Sequence, residues 1–68
     1  MKLYRLLTGQ DDAAFCHRVT DALNKGWALS GSPSLAFNPQ TGQVVAAQAI
    51  VKDVEGKDYH PEMKLSEQ

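Results

Sequence analysis

Between Gln43 and Lys52 the chain reads Val44-Val45-Ala46-Ala47-Gln48-Ala49-Ile50-Val51, with apolar side chains at both parities except Gln48 and with no proline or glycine. In an extended segment successive side chains point to opposite faces. A run apolar on both therefore suits a strand covered on both sides. This predicts a strand over Gln43–Lys52 in the middle of a sheet, and the rest of the chain must supply its neighbours. With 68 residues there is room for one domain. Such a chain buries only about 60% of the surface its unfolded form exposes, which leaves a lone core marginal.

The segments on either side supply partners. Asn38-Pro39-Gln40-Thr41-Gly42 reads as a turn, because proline is preset for its second position and glycine takes a left-handed one. Before it, Trp27, Leu29, Leu35 and Phe37 share one parity across the Gly31-Ser32-Pro33 break. Pro33 cannot donate to a ladder, which confines this second strand to a sheet edge or a bulge. Two hairpin registers one residue apart fit the turn, and each turns a different set of side chains inward. Lys2–Thr8, with Leu3, Tyr4, Leu6 and Leu7, reads as the first strand.

Thr8-Gly9-Gln10-Asp11 reads as a helix start, with Thr8 as the cap and Asp11 and Asp12 at the positive helix end. Phe15, Cys16, Val19, Ala22 and Leu23 fall within an arc of about 120° at helical spacing, which predicts a core-facing stripe. Gly26 ends the helix after Lys25, and Trp27 is placed to fold back over the last turn.

The expected architecture is α+β: strand, helix, strand, strand, in sheet order 1-3-2, with the third strand central and one helix on one face. Residues 1–53 form the domain. Residues 54–68 are polar, with sparse apolar positions at no steady period, and read as a flexible C-terminal tail with a short docked piece near Tyr59 or Met63. One helix covers one face, so the other exposes apolar side chains, and such a face on so small a chain is an association surface. A homo-oligomer is expected, through that face or through paired first-strand edges.

Seven basic and eight acidic residues give a net charge of −1 without charged blocks. That balance argues against a nucleic-acid partner. No apolar run is long enough for a spanning helix, and no secretory signal is visible, so no membrane partner and a cytoplasmic location are expected. Cys16 is the sole cysteine and cannot form an internal disulfide. Neighbouring Cys16 and His17 point about 100° apart on a helix and do not face each other, which disfavours a nucleophile–base pair. His17 and Asp21 are four apart, a spacing open to metal, but with only His60 elsewhere they make no site signature, and no cofactor or metal is expected. Arg5, Arg18, Lys25 and Lys52 are interleaved with Asp21 and Asp53 and read as a solvated surface. Thr8, Gly9, Trp27, Gly31, Ser32, Pro33 and Ser34 are the candidate ligand or interface residues: a helix start, an aromatic that caps the core or serves as a stacking platform, and a bend. No catalytic residue set stands out.

The blocks Tyr4-Arg5-Leu6-Leu7-Thr8-Gly9, Asp11-Asp12-Ala13-Ala14-Phe15-Cys16-His17-Arg18-Val19, Ala22-Leu23-Asn24-Lys25-Gly26-Trp27, Gly31-Ser32-Pro33 and Gln48-Ala49, in this order, resemble the bacterial DUF1737 family, a domain of unknown function. The resemblance spans about residues 2 to 53. It implies a bacterial origin and carries no activity, cofactor or catalytic residue. The residues favour a self-associating interaction or regulatory module over an enzyme. The alternative is a small-molecule or anion-binding domain, conceivably an accessory to an enzyme.

Overall fold

A computed structural model of the chain describes residues 1–68. Strand β1 (Lys2–Gln10), helix α1 (Ala13–Asn24), strand β2 (Ala28–Asn38) and strand β3 (Gln43–Asp53) follow one another, with a short 3-10 helix at Leu65–Glu67. The sheet order is β1-β3-β2, and β3 runs antiparallel to both neighbours. The two-sided apolar strand is central and the proline-bearing strand is an edge, as the sequence predicts.

The helix starts later than Thr8. β1 continues to Gln10, which pairs with Val45, and Asp11 N–H extends the ladder by donating to the Val44 carbonyl at 3.0 Å. The long β3 therefore holds Thr8 in the sheet. The cap falls to Asp12, whose Oδ1 accepts from Phe15 N–H at 3.0 Å. At the other end Gly26 takes φ +97°, with Gly26 N–H donating to the Leu23 carbonyl at 3.2 Å and Trp27 N–H to that of Ala22 at 3.1 Å. This Schellman geometry satisfies carbonyls that the helix end would leave free and folds Trp27 into the core, 4% exposed.

The turn selects one of the two registers. Asn38 pairs with Gln43, Gly42 N–H donates to the Asn38 carbonyl at 2.8 Å, and Asn38 Oδ1 accepts from Gln40 N–H. In this register Leu3, Arg5, Leu7 and Gly9 of β1 share the helix side with Ala46, Gln48 and Ile50 of β3 and Leu29, Leu35 and Phe37 of β2. Tyr4, Leu6, Val45, Ala47, Ala49 and Val51 face the other way. Between Ser30, opposite Ala49, and Ser34, opposite Ala47, β2 carries a bulge at Gly31-Ser32-Pro33. Gln48 is buried beside it, its Nε2 donating to the Ala49 carbonyl at 2.9 Å and to the Gly31 carbonyl at 3.3 Å.

The C-terminal segment is not a free tail. Met63 and Leu65 pack against the cluster of Leu3, Leu7, Ala22, Trp27 and Ile50, and the 3-10 helix lies on β1. Lys52 Nζ donates to the main-chain oxygen of Gln68. The physical reason is length. A 12-residue helix spans ~18 Å, while an 11-residue strand runs ~37 Å. Beyond the end of α1 the Leu3 end of the sheet needs another cover, and two apolar side chains suffice for it without any periodicity.

Candidate functional site

Helix α1 has two unlike flanks. Phe15, Val19 and Ala22 point at the sheet, and only Ala22 is fully buried. Cys16, Thr20 and Leu23 lie round the helix toward β2. Cys16 is exposed and Leu23 is 42% exposed, contrary to the expectation of a stripe buried throughout. The cause is coverage: α1 and the C-terminal segment shelter β1 and the helix side of β3 from Ala46 onward but not the start of β3 or β2, where every residue except Asn38 is exposed. Leu29, Leu35, Phe37 and Val44 thus sit on the helix side of the sheet with 52, 64, 63 and 39% of their surface open. A groove of about 300 Å³ runs between α1 and β2, lined by Phe15, Cys16, Val19, Thr20, Leu29 and Pro33 and floored by Gln48.

This flank carries no formal charge on its strands: between Lys25 and Lys52 the chain has no Asp, Glu, Lys or Arg. That uncharged run is the signal in the sequence that marks the surface, and neither hydrophobic periodicity nor motif spacing draws attention to it. The opposite sheet face, where the exposed apolar surface is expected from the sequence, does show Tyr4 and Leu6 at 56 and 53% exposure. The rest of that face consists mainly of small or half-buried residues such as Ala28, Ala36, Ala47 and Ala49. The larger open apolar surface is on the helix side, beside β2.

The other flank of α1 is polar. Arg18, Asp21, Ala22 and Lys25 line a pocket of about 120 Å³ with Arg5 and Leu7 of β1, Trp27 and Ser66 of the C-terminal segment. Arg18 Nη1 donates to the Thr8 carbonyl at 2.8 Å. The Arg5 guanidinium lies 5.5 Å from the centroid of the Trp27 ring, and Lys52 Nζ lies 5.9 Å from it. Lys25 pairs with Asp21 at 2.9 Å.

The seven residues singled out from the sequence do not converge on one site. Thr8 and Ser34 sit in one row across the sheet, both opposite Ala47, on the face away from the helix. Gly9 lies beneath α1, where a Cβ would stand 3.3 Å from Phe15 Cδ2 and 3.4 Å from Arg18 Nη1, so its role is to let the helix approach. Trp27 is buried and offers no open ring face for stacking. Gly31, Ser32 and Pro33 form the bulge, and Pro33 alone of the seven lines the apolar groove. Arg5, Arg18 and Lys25, which read as solvated surface in the sequence, do come together.

No group of three or more His, Cys, Asp or Glu side chains is gathered as metal ligands would be, and no helix is long and apolar enough to cross a membrane. No curated protein and no solved structure matches the chain. Residues 1–53 match the family model described as a domain of unknown function, DUF1737, which covers β1, α1, β2 and β3, and the chain belongs to that family.

Proposed function

We propose that this chain is a self-associating interaction module of the bacterial cytoplasm, pairing with a second copy of itself through the open flank between α1 and β2. The observation that carries the reading is the group Leu29, Leu35, Phe37 and Val44, large apolar side chains on the core side of the sheet with no element over them. With Leu23, Leu29, Leu35, Phe37 and Val44 all about two-fifths to two-thirds exposed, the open apolar surface is on the order of a few hundred Å². A standard interface buries ~800 Å² per partner with ~60% of it apolar, which is of the same order. The absence of charge between Lys25 and Lys52 suits a second copy, because a two-fold contact sets like against like and here meets no like-charge repulsion. A reducing compartment is consistent with the exposed lone thiol of Cys16 at the groove.

The test is oligomeric mass. Light scattering at tens of micromolar should give twice the 7.4 kDa of one chain. Phe37→Glu should give the single-chain mass with an unchanged circular dichroism spectrum, since Phe37 is 63% exposed and its loss removes little from the fold. A wild-type monomer at ~100 µM, or a Phe37→Glu variant that still dimerises, would sink the reading.

A further inference from the structure

The polar flank of α1 points to a second binding site, independent of the apolar one. We infer that the pocket formed by Arg5, Arg18, Lys25, Trp27 and Ser66 binds a tetrahedral phosphoryl-type oxyanion borne by a small free molecule.

The argument begins with Arg5. Its guanidinium carries five donors in a fixed fork, and the residue is half-buried. Yet it donates to no protein acceptor and pairs with no carboxylate. The ion pairs of the chain are Lys25 with Asp21, His60 with Glu62 and Lys64 with Glu67. The Trp27 ring holds the guanidinium at 5.5 Å, where cation–π attraction fixes its place and leaves its N–H groups without a protein acceptor, open to the pocket. Arg18 likewise has no carboxylate partner and uses Nη1 on the Thr8 carbonyl, so that its remaining donors are free. A half-buried Arg beside a second unpaired Arg repels it, and an oxyanion between them relieves that repulsion with charge-assisted hydrogen bonds.

The pocket's dimensions and its other walls favour this ligand class. About 120 Å³ is enough for one phosphoryl group. Its polar walls come from a strand, a helix flank and the Ser66 segment, so donors reach the pocket from three sides. Two features oppose an anion here, Asp21 and the negative end of the α1 dipole. Both are already engaged: Asp21 by Lys25 at 2.9 Å, and the last-turn carbonyls of Asp21, Ala22 and Leu23 by the N–H groups of Lys25, Gly26 and Trp27. Net charge at the pocket remains positive.

Trp27 is the only tryptophan and reports directly on Arg5. Intrinsic fluorescence of the full chain is to be titrated with inorganic phosphate at constant ionic strength, with chloride as the control. The expected result is a saturable change with phosphate and none with chloride. Arg18→Gln, an exposed position that leaves the core intact, should weaken binding about tenfold or more. Arg5→Met, which keeps the contact with the indole, should abolish it. A flat phosphate titration in the folded wild type would falsify the proposal. Equal affinity in wild type and in folded Arg18→Gln would overturn it too. Much tighter binding of a short oligodeoxythymidylate than of phosphate, lost in the same variants, would reassign the pocket to nucleic acid.

Discussion

Gln48 is the polar residue in an otherwise apolar central strand, 4% exposed, and its burial is explained by what lies across from it. At the bulge β2 has Gly31-Ser32-Pro33 where β3 has Gln48 alone, so regular pairing stops between Ser30 and Ser34. The Gln48 side chain bridges the gap, with Nε2 donating to one carbonyl on its own strand and one on β2. A buried amide that lost these partners would carry its full desolvation cost. Gln48→Met keeps the volume and removes the bonds, and is expected to cost ~1 kcal/mol, seen as a urea midpoint lowered by roughly 1 M or less in so small a domain. Faster amide exchange at Ser30 and Ser34, with Leu3 and Leu7 unaffected, would locate the effect at the bulge rather than in the core. In the sequence Gln48 reads only as an interruption. Its purpose becomes visible once Pro33 is known to sit opposite, a relation set by a register that two alternatives of the turn leave undecided.

At the scale of elements, legibility followed how local the governing interaction was. The helix end is written in Gly26-Trp27 and forms as expected, because a left-handed glycine and its two hydrogen bonds involve only neighbouring residues. The helix start was less legible: Thr8 is a competent cap, but β3 reaches far enough to hold it in the ladder, a contact across some forty residues of chain. The C-terminal segment is legible only in part for the same reason: the docked piece expected near Tyr59 or Met63 forms at Met63, but the rest is not the flexible tail its composition suggests. Met63 and Leu65 have no periodicity to betray them, and the place they fill exists only because α1 is shorter than the strands it covers. Replacing both, as Met63→Ala with Leu65→Ala, is expected to lower stability by ~2 kcal/mol, with the value held down by their partial exposure. Thermal melts would show the loss. A red-shifted Trp27 emission in the still-folded variant would show that the segment shelters the indole.

For the whole molecule, the two flanks of α1 divide the chemistry of the surface. The charged residues lie on Lys2–Lys25 and Lys52–Glu67, and the hairpin between them has none. Association through the hairpin flank is a burial of apolar area and is insensitive to screening, whereas an oxyanion held by Arg5 and Arg18 is not. Raising the salt from ~0.05 to ~0.5 M, which shortens the screening length from above 10 Å to below 5 Å, is expected to leave the dimer constant within a factor of about two and to weaken phosphate binding several-fold. Sedimentation and fluorescence on one sample check both. The molecule measures 44 × 23 × 19 Å, long for its mass, because the hairpin runs beyond the helix that covers its base.

The bulge also governs how this chain can change length. Between Ser30 and Ser34 β2 advances four positions while β3 advances two, so the insertion is even and Leu35 and Phe37 keep the facing set by Leu29. Removing a single residue from Gly31-Ser32-Pro33 would invert the whole distal arm, presenting Ser34 and Ala36 where Leu35 and Phe37 now stand; removing two would restore it. Descendants of this sequence are thus free to lengthen or shorten here only in pairs.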